Sequence, residues 1–322
     1  MAKILVIGGA GYIGSHVVLE LLDKNHQVVV FDNLSTGQKE NLFDTAEFIE
    51  GDILDFEKLK NVMAQNIDVV IHLAAKKAVG ESMEKPQIYA SNNIQGSINI
   101  LNAMLEANVK NIIFSSSAAV YGMPKYLPVD ENHEKNPINF YGYTKSLIED
   151  LMGWYSKLKS INYIALRYFN AVGYDALGRI KGKEKNPQNL LPIIMEAATG
   201  KRDGFQIFGN DYKTKDGTCE RDYIHVSDLA TAHEKAVQKL MTENKSYILN
   251  LGIGKGISVR EIVEASQKVI GKSLKYTYAS RRLGDPAILV ASSDLAYQIL
   301  NWKPKYINIE DTIQTVWNME KK

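Results

Sequence analysis

The chain has 322 residues, 45% hydrophobic and 23% charged, a globular composition long enough for one large domain or two smaller ones. Its 38 Lys and Arg against 37 Asp and Glu leave a net charge of +1, which excludes long-range attraction to nucleic acid, membrane or acidic partners and leaves any anion to be held locally. The single cysteine, Cys219, excludes an internal disulfide, and KILVIGG is too short and unflanked by basic residues to be a signal peptide or membrane span; the expectation is a cytoplasmic protein.

In chain order, the first predicted strand is KILVI, and it runs straight into VIGGAGYIGSH, which sets Gly8, Gly11 and Gly14 between a strand and a helix. Such glycines allow a tight turn, close approach to a pyrophosphate and close helix packing, while the helix start offers unpaired N–H groups and a positive dipole end. The second strand, QVVVFD, ends in Asp32, roughly 20 residues further on, where a carboxylate accepts from a ribose 2′-OH and repels a 2′-phosphate; this favours NAD over NADP. The same carboxylate is a natural cap for the turn DNLST. Strand three, AEFIEGD, carries Asp52, either an adenine-side contact or a turn residue.

Acidic at its start and apolar at Phe56, Leu59 and Met63, DFEKLKNVMAQ predicts a helix from Asp55 to Gln65. DVVIHLAA is the fourth strand, and a longer helix is predicted over Ile88 to Val109. NIIFSSS is the fifth strand, with SSSAAVYG at its carboxyl end, the end where doubly wound sheets place ligands. FYGYTK then opens a helix on which Tyr141 and Lys145, four apart, share a face that Tyr143 does not. A phenol of pKa about 10 is a poor base at neutral pH, but a lysine ammonium and a cationic nicotinamide both stabilise phenolate, so Tyr141 could accept a hydroxyl proton as hydride leaves the same carbon. A helix-start aromatic beside a solvated lysine is the plainer alternative.

YIALRYFN is the sixth strand. Continuous apolar strands alternating with helices imply an α/β fold: a doubly wound parallel sheet covered on both faces. After residue 170 the alternation fails, so residues 1–170 are read as an NAD-binding Rossmann domain and 171–322 as mainly a smaller α/β substrate domain. The segment RDYIHVSDLATAHEKAVQKL, about 223–245, again predicts a strand and helix, capped by Ser227 or Asp228, that the first domain can reclaim.

With GGAGYIGSH, FDNLS, KAVGES, SSSAAVYG, YGYTK, RYFNAVG, IFGNDY, DGTCERDYIHV and RRLGDPA in order along nearly the whole chain, the sequence resembles the extended short-chain dehydrogenase/reductase family, and within it the nucleotide-sugar 4-epimerases. The resemblance implies Tyr141 as base, Lys145 as its partner and a ribose ligand, and Ser117 as the hydroxyl on the sugar; of the three serines, only the resemblance selects Ser117. It implies Tyr12, Ile13, Asn33, Ile53, Lys77 and Asn92 in the cofactor shell with Asp32 and Asp52. Around a UDP moiety it implies Asn170, Asn189, Leu190, Gln206, Ile207, Phe208, Arg221, Arg282 and Asp285.

Related dehydratases carry an Asp-Glu pair after the active-site hydroxyl residue, where this chain has Ala118 and Ala119, so the resemblance favours epimerisation at C4 of UDP-glucose and UDP-galactose with NAD as cofactor, no metal, and a homodimer built on the two long helices. Ala119 stands where many members have Thr. Leu289, between the bulky and small residues other members carry, and the loop from Asp175 to Gln188 leave N-acetylated UDP-sugars as alternative substrates. A non-catalytic NAD-binding redox sensor is the reading from another class.

Overall fold

A computed structural model describes residues 1–183, 187–282 and 284–321. Among them, seven parallel strands form one sheet: β1 (Lys3–Ile7), β2 (Gln27–Asp32), β3 (Glu47–Glu50), β4 (Val69–His72), β5 (Asn111–Ser117), β6 (Asn162–Tyr168) and a last strand at Tyr247–Leu251. Their order is Tyr247–Leu251, β6, β5, β4, β1, β2, β3, so the strand order reverses between β1 and β4. Ligands of open α/β sheets sit outside the strand ends at such a reversal.

Both faces of the sheet are covered, which is why the strands read as unbroken apolar runs. On one face Ile4, Val6, Val30 and Ile71 pack with Val17, Val18 and Leu21 of the helix Tyr12–Asp23 and with Leu229, Ala232 and Val237 of the helix Val226–Thr242. On the other, Leu5, Ile7, Phe31, Val70 and Phe114 pack with Leu59, Met63, Ile100, Met104, Ile148 and Met152.

The chain returns to this sheet late. Helix Val226–Thr242 covers it and Tyr247–Leu251 pairs with β6, although the strand just before, Glu220–His225, lies in a separate sheet with Asn170–Val172, Gly256–Ser258 and Ile288–Leu289. A further pair, Phe205–Phe208 with Tyr276–Ala279, and the helices Leu190–Ala198, Val259–Ile270 and Ile309–Glu320 gather around a second apolar cluster including Ile194, Ile207, Val263, Ile313 and Val316.

Three local predictions are corrected. His225, not Ser227 or Asp228, caps Val226–Thr242, its side chain accepting from the Ser227 N–H. Asp228 instead accepts from the backbone N–H groups of Lys305 and Tyr306, at 2.9 and 3.0 Å. The helix expected over Ile88 to Val109 begins at Pro86, passes through a π-helical turn at Ala90–Gln95 and ends at Glu106. Such turns recur at functional sites, and this one carries Asn92.

Candidate active site

Gly8 turns the chain off β1 with φ +87°, and a Cβ there would stand 2.7 Å from the Ala74 nitrogen. At Gly14 a Cβ would meet the Gly8 carbonyl oxygen at 2.1 Å and Gly9 Cα at 2.8 Å, so only glycine lets the Tyr12–Asp23 helix sit this close to the turn. Gly11 opens that helix in an extended conformation with no side chain capping it. Backbone N–H groups at a helix start without a side-chain cap suit an anion.

Asp32 is buried and its two carboxylate oxygens accept from the N–H groups of Ala10 (3.0 Å) and Leu34 (2.8 Å), tying the glycine loop to the turn after β2. Burial raises its pKa, opposed by those two bonds. It therefore caps the turn as well as facing the loop, and a carboxylate with two bonds made keeps lone pairs for a ribose. Asp52 accepts from the Asn33 side-chain amide at 2.7 Å and from the Leu54 N–H at 2.9 Å. Asn33 and Asp52 line a cavity of about 260 Å³ with Glu50, Gly51 and Lys58, and Ile53 is buried nearby against Gly96. The donor set and the glycine cradle fit a dinucleotide.

Beyond β4, Lys77 follows Lys76, whose N–H and carbonyl both bond the Asn93 side chain, at 2.9 and 3.0 Å. Asn93 also accepts from the Asn92 amide at 3.0 Å and donates to Thr144 Oγ1 at 3.2 Å. One buried asparagine thus joins the Lys77 loop, the π-helical turn and the helix that carries Lys145. The sequence reading passed over it in favour of its neighbour.

The helix Phe140–Lys159 is capped by Asn139, which accepts from the Gly142 N–H at 2.8 Å. Gly142 packs so closely on the strand end that a Cβ would stand 2.4 Å from the Ala119 carbonyl oxygen, and the Tyr141 N–H donates to Ser82 Oγ at 3.1 Å. The three serines of β5 separate by what they touch. Ser115 accepts the Lys145 ammonium on its carbonyl at 2.6 Å, Ser116 donates to Glu149 at 2.6 Å, and Ser117 accepts from the Ala119 N–H while its hydroxyl acts to lower the pKa of the Tyr141 phenol.

Lys145 is only 2% exposed, its ammonium 5.9 Å from the Tyr141 ring centroid and 4.7 Å from that of Phe114. Burial pulls its pKa down to about 7, with Glu149 opposing, and burial raises that of Tyr141, with the Ser117 bond opposing. Tyr143 is exposed and stacks on Phe140 at 5.8 Å, on another face as its spacing required.

In the second part of the chain, Arg221 donates to the carbonyls of Glu220 and Pro286 and stands 3.7 Å from Asp285. The Arg282 guanidinium lies 4.0 Å from the Phe208 ring centroid, and Leu289 is the register partner of Arg221. Gln206, Ile207 and Phe208 lie on the strand paired with Tyr276–Ala279; Asn189 is the N-cap of Leu190–Ala198. Asn170 is exposed and pairs in register with Tyr223, a buried tyrosine that no motif singles out. Burial raises the Cys219 thiol, which disfavours the thiolate that a nucleophile would need. Residues 184–186 of the loop from Asp175 to Gln188, and Leu283 within RRLGDPA, lie outside the described residues.

With this geometry in hand, the profile of the NAD dependent epimerase/dehydratase family matches residues 4–252. The chain belongs to that family. Within it, the UDP-glucose 4-epimerase of Lactobacillus helveticus is 48% identical over 321 residues, covering 99% of this chain and 97% of the relative. The solved UDP-glucose 4-epimerase from Brucella ovis in complex with NAD is 42% identical with a TM-score of 0.96, covering 99% of this chain and 98% of that one. That of Bifidobacterium longum, in complex with NAD+ and UDP, is 37% identical with a TM-score of 0.93, covering 99% and 98%.

Proposed function

We propose that this chain is a UDP-glucose 4-epimerase, an isomerase that interconverts UDP-glucose and UDP-galactose through a 4-keto sugar. The observation that carries the reading is the convergence of Ser117, Tyr141 and Lys145 at the carboxyl end of β5, with alanines at 118 and 119 where elimination would need an acid and a base.

The Gly8–Gly14 turn, Tyr12, Ile13, Asp32, Asn33, Asp52, Ile53, Lys77 and Asn92 would hold NAD, which when bound would supply a hydride acceptor and donor for C4. Tyr141 accepts the O4 proton and later returns it, so one phenol serves both directions. Lys145 places a cation beside that phenol and stabilises its ionised form, and its burial strengthens the effect. Ser117 fixes the sugar hydroxyl against Tyr141. Arg221 and Arg282 neutralise the pyrophosphate, Asp285 holds ribose hydroxyls, and Asn170, Asn189, Leu190 and Gln206 to Phe208 complete the uridine side; anchoring there lets the sugar turn over while UDP stays bound. Leu289, partly buried against Ala118, Tyr121 and Phe169, borders the sugar.

The molecule is a homodimer in this reading. Support comes from exposed apolar side chains on the two long helices, Trp154 at 59%, Leu158 at 68% and Ile88 at 37% exposure. No described helix is long and apolar enough to cross a membrane.

A coupled assay of the purified protein on UDP-galactose, run beside UDP-N-acetylgalactosamine, tests the function. Product should form with no NADH accumulating. NADH rising in step with substrate loss would make it a dehydrogenase, and tight NAD binding without turnover of either sugar would make it a sensor. Sedimentation velocity checks the dimer, which a single species at 36.0 kDa would rule out.

A further inference from the structure

Lys145 and Glu149 stand one turn apart on the buried face of the helix Phe140–Lys159. Glu149 makes a closed set of contacts. Its Oε1 accepts from Ser116 Oγ at 2.6 Å and Arg167 Nε at 2.9 Å; its Oε2 accepts from Arg167 Nη2 at 2.7 Å and faces the Lys135 ammonium at 3.6 Å. Ser116 and Arg167 are register partners on β5 and β6, so one carboxylate clamps the helix to two adjacent strands. The clamp lands on Ser116, the serine between Ser115, whose carbonyl holds Lys145, and Ser117, whose hydroxyl influences the Tyr141 phenol.

We propose that Glu149 is a positioning residue for the reaction: through Ser116 and Arg167 it fixes the catalytic helix against the end of β5, and it sets a carboxylate one helical turn from the Lys145 ammonium. The role in the reaction rests on the reading of Tyr141 and Lys145 given above. A buried ammonium brought down to about 7 by desolvation, with Glu149 as the opposing influence, sits where a change in local charge alters its protonation at neutral pH.

Other groups face this pair. Arg167, from β6, is always charged and is bonded in turn to Tyr121, and Glu131 lies within its field. Lys135, from the segment before the helix, is shared with Asp150 at 2.6 Å. His72, from β4, is kept neutral by burial, which lowers it to about 3. Tyr141 on the same helix, and Tyr163 and Tyr168 on β6, are phenols that burial raises. Glu149 and Arg167 are thus the fully buried ion pair beside Lys145.

The test follows the titration of Lys145 itself in the full-length, NAD-loaded protein carrying 13C at lysine Cε, the signal being assigned by its loss in Lys145→Arg. Glu149→Gln should lower the midpoint by about one pH unit and move the alkaline limb of kcat with it. Lys135→Met, which removes a cation from Glu149 at a partly exposed position, should raise the midpoint by a smaller, measurable amount. A folded Glu149→Gln protein with an unmoved midpoint overturns the proposal. Should that variant not fold, an unmoved midpoint in Lys135→Met overturns it equally. A purely structural clamp would lower kcat without moving either midpoint. Absence of epimerase activity in the unsubstituted protein would count against the function alone, since the midpoints are read without sugar nucleotide.

Discussion

Asn93→Ala should damage stability and cofactor retention together. The wild-type side chain, 1% exposed, satisfies the N–H and carbonyl of Lys76 and bonds Asn92 and Thr144. Truncation leaves those two backbone groups without their partner, and each orphaned buried group costs about 1–3 kcal/mol. Water entering the vacated space will recover part of this, so we expect a loss of about 2–4 kcal/mol. Because Asn93 links the loop before Lys77 to the π-helical turn and to Thr144, the same change should loosen the shared placement of Lys77 and Asn92. Urea unfolding of the NAD-stripped protein measures the first effect; bound NAD remaining after gel filtration measures the second. A variant within 0.5 kcal/mol of wild type, the measured spread of neutral surface changes being about that size, and retaining its NAD, would refute the reasoning.

Tyr141→Phe should lower kcat by roughly 10²–10⁴-fold, the range for a lost general acid–base group, with circular dichroism and NAD content unchanged; a variant keeping most of its rate would remove Tyr141 from the role of base. Gly14→Ala should cost about 3 kcal/mol, because its Cβ meets backbone rather than yielding side chains, whereas Gly11→Ala, with only the Gly8 oxygen at 3.3 Å, should fold normally and lose NAD affinity. Equal thermal midpoints for the two would contradict this.

Stability should also fall steeply in acid. Burial lowers His16 and His233 to about 4 and His72 and His225 to about 3, so below pH 6.5 the unfolded chain takes up protons the folded one refuses. Asp222, raised by burial to about 6, acts the other way and offsets one of the four as pH falls through 6. Burial also raises Asp32, Asp228, Glu20 and Glu131, which act as Asp222 does, so the net slope stays below about 4 kcal/mol per pH unit at its steepest, near pH 5. Urea midpoints that stay level from pH 7 to pH 5 would show that these histidines are not held neutral.

β1, β2, β4, β5 and β6 were legible because both faces of the sheet are covered there, which gives each an apolar run with a turn signal at its end; the edge strand β3, EFIE, is only half-buried between two exposed glutamates. Tyr247–Leu251 was not legible, because Asn250 within it reads as a loop residue. In the fold Asn250 is fully buried and polar by design: it accepts from Tyr121 at 2.6 Å, donates to the Val129 carbonyl, and its N–H donates to Glu131.

Helical spacing was enough to put Tyr141 and Lys145 on one face, but nothing in SSS distinguishes three identical side chains. Their roles come from the pleat and from what lies opposite: Glu149 for Ser116, Tyr141 for Ser117. The π-helical turn was equally hidden, since one extra residue in a turn leaves the apolar pattern around it nearly unchanged. His225 as a cap was missed because Ser and Asp, the usual caps, stand right beside it.

The late return of Tyr247–Leu251 to β6 has a consequence for how the protein is made. While the ribosome works through the stretch after Tyr168, β6 is an open edge, a row of N–H and carbonyl groups ready to pair with any passing strand. At 5–20 residues per second that interval lasts roughly 4–16 s. The nascent chain is most exposed to misassembly in this window, and a cell producing it at high level would depend on chaperones there rather than at the end of synthesis.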